Sequence, residues 1–487
     1  MAKSMKHVVL SKLLHTGIIN QGEFILKSGA KSNIYLHFRR LISFPHLFNY
    51  LSILVDELFP NLFVFEGSQL DKTVSGNATS AQNAVESEPA SQDPTGLGGA
   101  TTTATNETNA AGNSTPLVRL LPVPFGGIPF GTHLAFQKQL PFLLVRDKPK
   151  DHGLGKIVEG IWEELDEVVI IEDVISTGKS VRETLANLEK HGAGNMKFKA
   201  ILTICNRGCV SFVNGIPVLS LFTLEEIMAF LGEDLTTLDY FTHASSKANA
   251  LYGQALQHKS NIILSCDFMN TDQILDVVSK AGPFIVAVKL HPDTVISTSA
   301  NNMEAFHSKL HDLLHTHRLQ LIDDAKMADI EAIEVEKART MVALHVDAVT
   351  IHAVAGMSVL DTPVIEVPDF IVVAEMSCKG NMLTPDYARQ VISGVRESKS
   401  KQHVYGFVCQ DLIPSLLSHP FEFLTMSPGV QLGQSGASDG RNQQYTDPTR
   451  KRLGLFWIVG RGITQSVDVV ATTQRYQQHG FRYFVNY

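Results

Sequence analysis

From Leu117 onward, short apolar runs alternate with stretches whose apolar residues recur three and four positions apart. VVII (Val168–Ile171), NIIL, FIVAV and LQLI have strand length and polar or turn-forming neighbours, so each reads as a buried strand. SVRETLANL and LEEIMAFLGEDL read as amphipathic helices. Strands that alternate with helices predict an α/β fold on parallel sheet.

The pattern breaks in two places. From about Glu66 to Pro116 the chain is rich in Thr, Ala, Asn, Gly and Ser and almost free of aromatics. Such a stretch cannot bury enough apolar surface to offset its ordering entropy, so disorder is expected over 66–116. NLFVFEG before it and VRLLPVPFGGIPF after it both look strand-like, which makes the stretch an insertion within a domain. A long loop adds little closure entropy. The second break, near 240–258, runs from LEEIMAFLGEDL through the polar HASSKANA to NIILSCDF. The expected organisation is a first domain over 1–240, a linker over 241–257 and a second domain over 258–487. Roughly 225 residues of alternation from Asn261 suit a (β/α)8 barrel.

Composition narrows the class. A chain of 487 residues favours two or more domains. Its 44% hydrophobic and 18% charged residues are ordinary for a globular protein. A net charge of -8 offers no footprint for nucleic acid or an anionic membrane. No apolar run reaches the ~18 residues of a membrane span. The N-terminus has no apolar core or cleavage site of a signal peptide. The five cysteines read as free thiols, because only Cys205 and Cys209 are close and no second pair accompanies them. A cytoplasmic setting is expected, in which the sequons at Asn77, Asn106 and Asn113 are chance products of composition.

The first chemical constellation follows Val168–Ile171. Glu172 and Asp173 close the run, and Ser176-Thr177-Gly178-Lys179-Ser180 opens a helix. Ligands of parallel sheets bind at the carboxyl ends of strands. A small glycine-containing loop at a helix start offers N–H groups to a phosphate, and adjacent carboxylates accept from a ribose diol. The same spacing also fits a plain strand–turn–helix with acidic turn residues. GKS lacks the P-loop frame.

VVIIEDVISTGKSVRETLANL resembles the phosphoribosyl-diphosphate motif of type I phosphoribosyltransferases. GEFILKSGAKSNIY, LLVRDKPKDHGLGKIVEG and CNRG resemble further parts of the orotate phosphoribosyltransferase family, so that about 7–235 is covered apart from the insertion. The resemblance implies a doubly wound parallel sheet, with Lys27 near the diphosphate and Tyr35 near the pyrimidine. It also implies a mobile catalytic loop carrying Arg146, Lys150 and His152, and Arg207 facing orotate. Mg2+ would bind together with phosphoribosyl diphosphate. The chain departs from that family at Asp147, where a base is usual, and at His37-Phe38-Arg39, where many members have Asp-Leu-Arg.

The second constellation lies at predicted strand ends. Ser265 and Asp267 share a face at period two, as do Lys289, His291 and Asp293, and Asp324 and Lys326, with Asp329 just beyond. Barrel enzymes place catalytic groups at such ends. A buried lysine between carboxylates stays protonated and can deliver a proton to a carbanion. A carboxylate facing a substrate's own carboxylate is relieved of repulsion as CO2 leaves. A lone DAKMAD string also reads as a surface turn of mixed charge.

KLHPD, DAKMAD, EMSCKG, SPGVQL, DGRNQQY and IVGRGI together resemble the orotidine 5'-phosphate decarboxylase family over nearly the whole second half. The resemblance implies a TIM barrel in which Lys326 gives its proton to pyrimidine C6 and Asp324 faces the leaving carboxylate. Lys289 and Asp329 complete the charge network, Asp267 binds ribose, and Ser265 and His291 also touch substrate. Ser377 would touch the pyrimidine, and Gln443, Tyr445, Gly460 and Arg461 the 5'-phosphate. It further implies a homodimer in which Asp329 enters the neighbouring site, and no cofactor for this step. Glu331-Ala332-Ile333 stand where the family has Gly-Asn-Thr; Ile333 cannot donate the threonine's hydrogen bond, so weaker substrate binding is expected.

Together the halves resemble enzymes that turn orotate, through orotidine 5'-phosphate, into UMP. Two narrower readings stay open at this level. One is a decarboxylase with an impaired transferase half; the other is a non-catalytic nucleotide-binding scaffold.

Overall fold

The computed structural model describes residues 2–25, 31–65, 116–146, 157–241, 244–267, 269–291, 302–342, 344–361, 367–398, 403–410, 422–433, 436–437, 443–448 and 453–486. Apart from Pro116, the stretch read as a disordered insertion lies outside them. The chain divides into two compact units, one of Phe59–Ser220 and one of Met1–Leu58 with Leu221–Tyr487.

The Phe59–Ser220 unit is built on a five-stranded sheet whose last strand, Ile216–Thr223, runs just past its boundary. Val118–Pro122, Glu167–Ile175 and Lys197–Asn206 pair in parallel with the second in the middle. Ile216–Thr223 and the antiparallel Phe212–Val213 extend the sheet beyond the third. Val168 through Ile171 are at most 1% exposed, as expected for a central strand covered on both faces. The helix Lys179–Lys190 buries Val181 and Leu188, which join the clusters of Ile170 and Val168.

Two strand expectations are corrected here. In NLFVFEG the described residues form turns, with Leu62 N–H donating to Phe59 O at 3.0 Å. Pro60 and Asn61 occupy the centre of that turn, where both are favoured. Of VRLLPVPFGGIPF only Val118–Pro122 is strand, and Gly127–Lys138 is a helix. Pro122 and Pro124 have no N–H to continue a ladder.

In the other unit, eight strands close into a barrel: Ile262–Ser265, Ala287–Leu290, Gln320–Met327, Ala348–Ile351, Asp369–Val373, Val404–Val408, Leu424–Pro428 and Phe456–Val459. All eight neighbouring pairs are parallel. Ile262, Leu264 and Val288 pack with Ile274, Val278 and Leu310 of the helices Thr271–Ala281 and Asn302–His317. Strand residues alternate in direction, so Ser265 and Lys289 point inward. The fold class read from the sequence, a parallel α/β sheet followed by a TIM barrel, is the one observed.

The same unit contains the helices Ala2–His15 and Pro45–Leu58 and the antiparallel pair Ile19–Ile25 and Lys31–Leu36. Lys12 is buried and donates to Phe484 O of the helix Val469–Asn486 at 3.1 Å. Burial pushes its amine down to about 7. Among the described residues no helix is long and apolar enough to cross a membrane.

Candidate active sites

A cavity of about 450 Å³ opens at the carboxyl ends of the barrel strands, lined by Ser265, Lys289, Asp324, Lys326, Ser377 and Arg461 among others. Asp324 is its electrostatic centre. Oδ2 of Asp324 lies 2.6 Å from Lys289 Nζ, 2.8 Å from Lys326 Nζ and 3.0 Å from His291 Nε2. The Thr350 hydroxyl donates to Oδ1 at 2.8 Å. Burial opposes the charge on Asp324, but Lys289, His291 and Lys326 outweigh it and hold the carboxyl well below the usual carboxylate range. Burial likewise works against the charge on Lys289, and Asp324 and Asp267 overcome it, so its amine is raised. Asp267 lies 3.2 Å from Lys289 Nζ and accepts from Ser265 Oγ at 2.9 Å. The result is an ammonium–carboxylate–ammonium array facing the cavity.

Asp329 stands outside this array. It is half-buried, and its carboxylate pairs with Lys337 Nζ at 3.0 Å. Ile333 follows on the helix Glu331–Val342, 42% exposed. Gln443, Tyr445, Gly460 and Arg461 line the cavity. Arg461 donates to Gln443 Oε1 at 3.2 Å and lies over the Tyr445 ring at 5.3 Å. Ser377 O accepts from Gln444 N at 2.6 Å, which ties the EMSCKG segment to the DGRNQQY segment. Asp293 lies outside the described residues.

In the sheet unit, Glu172 and Asp173 fall near the end of Glu167–Ile175, Glu172 being buried. Ser176, Thr177 and Gly178 form the loop, and Lys179 and Ser180 start the helix. Gly178 takes φ 75°, a conformation that costs glycine nothing. Arg207 N–H donates to Ile175 O at 2.7 Å, bringing the CNRG segment beside the loop. Gly208 is pressed so close that a Cβ there would lie 1.6 Å from Ser176 O. Arg146 pairs with Glu159 at 2.7 Å. Tyr35 is on Lys31–Leu36 of the other unit, half-exposed against the rings of Phe24 and His37. Lys27, Lys150 and His152, and with them Asp147, lie outside the described residues.

Residues 260–476 match the model of the Orotidine 5'-phosphate decarboxylase / HUMPS family. The matched stretch takes in all eight barrel strands. The whole chain resembles the Uridine 5'-monophosphate synthase of Caenorhabditis elegans, at 23% identity over 536 residues, covering 98% of this chain and 95% of the relative. The Orotidine 5'-phosphate decarboxylase of Pichia kudriavzevii is 27% identical over 256 residues, covering 50% of this chain and 95% of that one. Among solved structures, the orotate phosphoribosyltransferase of Aeropyrum pernix aligns with TM-score 0.30 and 20% identity, covering 46% of this chain and 99% of that one. The fold of the sheet unit rests on its own strand order, not on this alignment.

Three groups in these sites escaped the sequence reading. Thr350 touches Asp324 and Lys326 but sits in AVTIH, which has no charge pattern. Glu375 accepts from Gln410 N at 2.7 Å, and Gln410 donates to Pro428 O at 3.2 Å, joining three strand ends. Gly126 abuts Asp173, where an added Cβ would lie 2.4 Å from the carboxylate. The Gly126-Gly127 pair straight after a strand was the available signal.

Proposed function

We propose that this chain makes UMP from orotate in two steps, transferring ribose 5-phosphate from phosphoribosyl diphosphate to orotate and then decarboxylating the orotidine 5'-phosphate formed. The observation that carries this reading is the Lys289–Asp324–Lys326 array, set in the same cavity as Arg461, Gln443 and Tyr445. Similarity to UMP synthases along nearly the whole chain supports the pairing of the two steps.

In the barrel, Arg461, Gln443, Tyr445 and the backbone at Gly460 hold the 5'-phosphate, with Arg461 suited to bidentate contact. Ser377 meets the pyrimidine, and Asp267, with Ser265 and His291 beside it, meets the ribose. The substrate carboxylate then lies against Asp324, which its cationic neighbours keep ionised. Breaking the C6–carboxylate bond leaves the electron pair on C6 and removes the repulsion between the two carboxylates. Lys326 delivers its proton to C6, and Lys289 keeps Asp324 in place. Charges already fixed in place need little reorganisation as the reaction proceeds. Asp329, which does not line its own cavity, serves the neighbouring site of a homodimer. The setting is cytoplasmic.

In the transferase half, Glu172 and Asp173 accept from the ribose diol and the Ser176–Ser180 loop takes the 5'-phosphate. Arg207, beside that loop, binds orotate. The pyrimidine N–H gives up its proton to water as the nitrogen bonds ribose C1, and the C1–oxygen bond breaks so that pyrophosphate leaves with its electron pair. Arg146, Lys150 and His152 offset the leaving charge. Glu172 and Asp173 present the hard oxygen donors that suit Mg2+. Mg2+ would add positive charge at the leaving pyrophosphate.

The test is a Lys326→Ala variant given orotate, phosphoribosyl diphosphate and Mg2+. Orotidine 5'-phosphate should accumulate without UMP. Undiminished UMP would overturn the role of Lys326, and no orotidine 5'-phosphate would overturn the transferase half.

A further inference from the structure

The third barrel strand, Gln320–Met327, loses register with the fourth, Ala348–Ile351. Asp323 pairs with Val349 and Met327 with Ile351, so Asp324, Ala325 and Lys326 together stand opposite Thr350. Such a bulge breaks the ladder and re-aims the side chains it carries. Lys326 takes φ 48°, the left-handed region, which a non-glycine residue holds only where its surroundings enforce it.

One hydroxyl bonds to both Lys326 and Asp324 of the bulge. Thr350 Oγ1 accepts from Lys326 N at 2.9 Å, in place of the lost ladder bond. The same oxygen donates to Asp324 Oδ1 at 2.8 Å. A hydroxyl has one proton and spare lone pairs, so these two bonds fix its direction. Thr350 is 2% exposed, which keeps water from replacing either bond. With Oδ1 held by Thr350, Oδ2 is left to face Lys289, Lys326 and His291.

We infer that Thr350 is the positioning residue of the decarboxylation, its hydroxyl pinning the bulge so that the Lys326 ammonium and the Asp324 carboxylate meet the substrate together. The inference rests on the decarboxylase reading of this site. Its effect falls on proton delivery and carboxylate placement, because the candidate phosphate-binding residues Gln443, Tyr445 and Arg461 belong to other segments. Valine keeps the shape of threonine but leaves a buried N–H and a carboxylate oxygen unpaired. Serine keeps the hydroxyl.

The experiment compares full-length wild type, Thr350→Val, Thr350→Ala and Thr350→Ser on orotidine 5'-phosphate, measuring kcat, KM, UMP affinity and Tm. In Thr350→Val, kcat should fall about 100-fold, the scale set by a displacement of ~1 Å, with KM and UMP affinity held within about threefold. Thr350→Ala should show the same split, which covers a valine variant that fails to fold. Thr350→Ser should stay within about fivefold of wild-type kcat, since it restores both hydrogen bonds. A wild-type kcat in folded Thr350→Val, a parallel fall of kcat and UMP affinity, or a serine variant as impaired as valine would each overturn the proposal. A wild type that makes no UMP from orotidine 5'-phosphate would instead remove the decarboxylase reading beneath it.

Discussion

Asp324 shows how one side chain depends on its neighbours. Its carboxylate is buried beside two ammonium groups and an imidazole, and Lys289, 5% exposed, has only Asp267 as a further partner in these contacts. In Asp324→Asn the amide cannot offset those charges, and breaking a buried pair in this way costs about 3–5 kcal/mol. Denaturant unfolding at pH 7 should show that deficit, and decarboxylation should be lost with it. The depressed carboxyl contributes stability above its unfolded value of about 3.9, lost as pH falls through the folded value. The gap between wild type and Asp324→Asn should therefore be flat from pH 6 to 8 and narrow below about pH 4. A gap unchanged at pH 3 would contradict this electrostatic account. Lys289, Asp324 and Lys326 were legible in the sequence, because period two puts inward-facing charges on a common face. Thr350 was not, since its role arises only from a register shift between two strands.

Secondary-structure elements carry the second lesson. Glu167–Ile175 and Lys179–Lys190 were readable from an apolar run, an acidic pair and a glycine loop. The apolar residues of NLFVFEG resemble a strand, but Pro60-Asn61 dictate a turn. The close approach of Gly208 to Ser176 O depends on the pairing of distant strands, which local sequence does not encode. A methyl group there must displace backbone, so Gly208→Ala should deform the Ser176–Ser180 loop. The variant should make little UMP from orotate yet keep wild-type conversion of orotidine 5'-phosphate. Equal loss of both rates would refute that placement. Lys12 allows a different check on how the N-terminal helix is held. Its amine is lowered to about 7 by burial, so the folded state bears the full cost of the charge below pH 7 and progressively less as pH rises toward the ordinary value of about 10.4. Lys12→Met should raise Tm more at pH 6 than at pH 10; a gain independent of pH would speak against a buried titrating amine.

At the scale of the molecule, the α/β sheet and the barrel followed from the alternation of strands and helices, since each (β/α) step leaves the same local imprint. The grouping of Met1–Leu58 with the barrel residues in one compact unit has no comparable local imprint, because it depends on packing between segments more than two hundred positions apart, such as Lys12 with Phe484. The two chemistries have complementary products and substrates, so their presence on one chain is the central claim. It is tested most directly by incubating the purified full-length chain with orotate, phosphoribosyl diphosphate and Mg2+ and following UMP by chromatography, with orotidine 5'-phosphate as the parallel substrate. UMP from both starting materials is the predicted result. UMP from orotidine 5'-phosphate but none from orotate, or none from either, would contradict it.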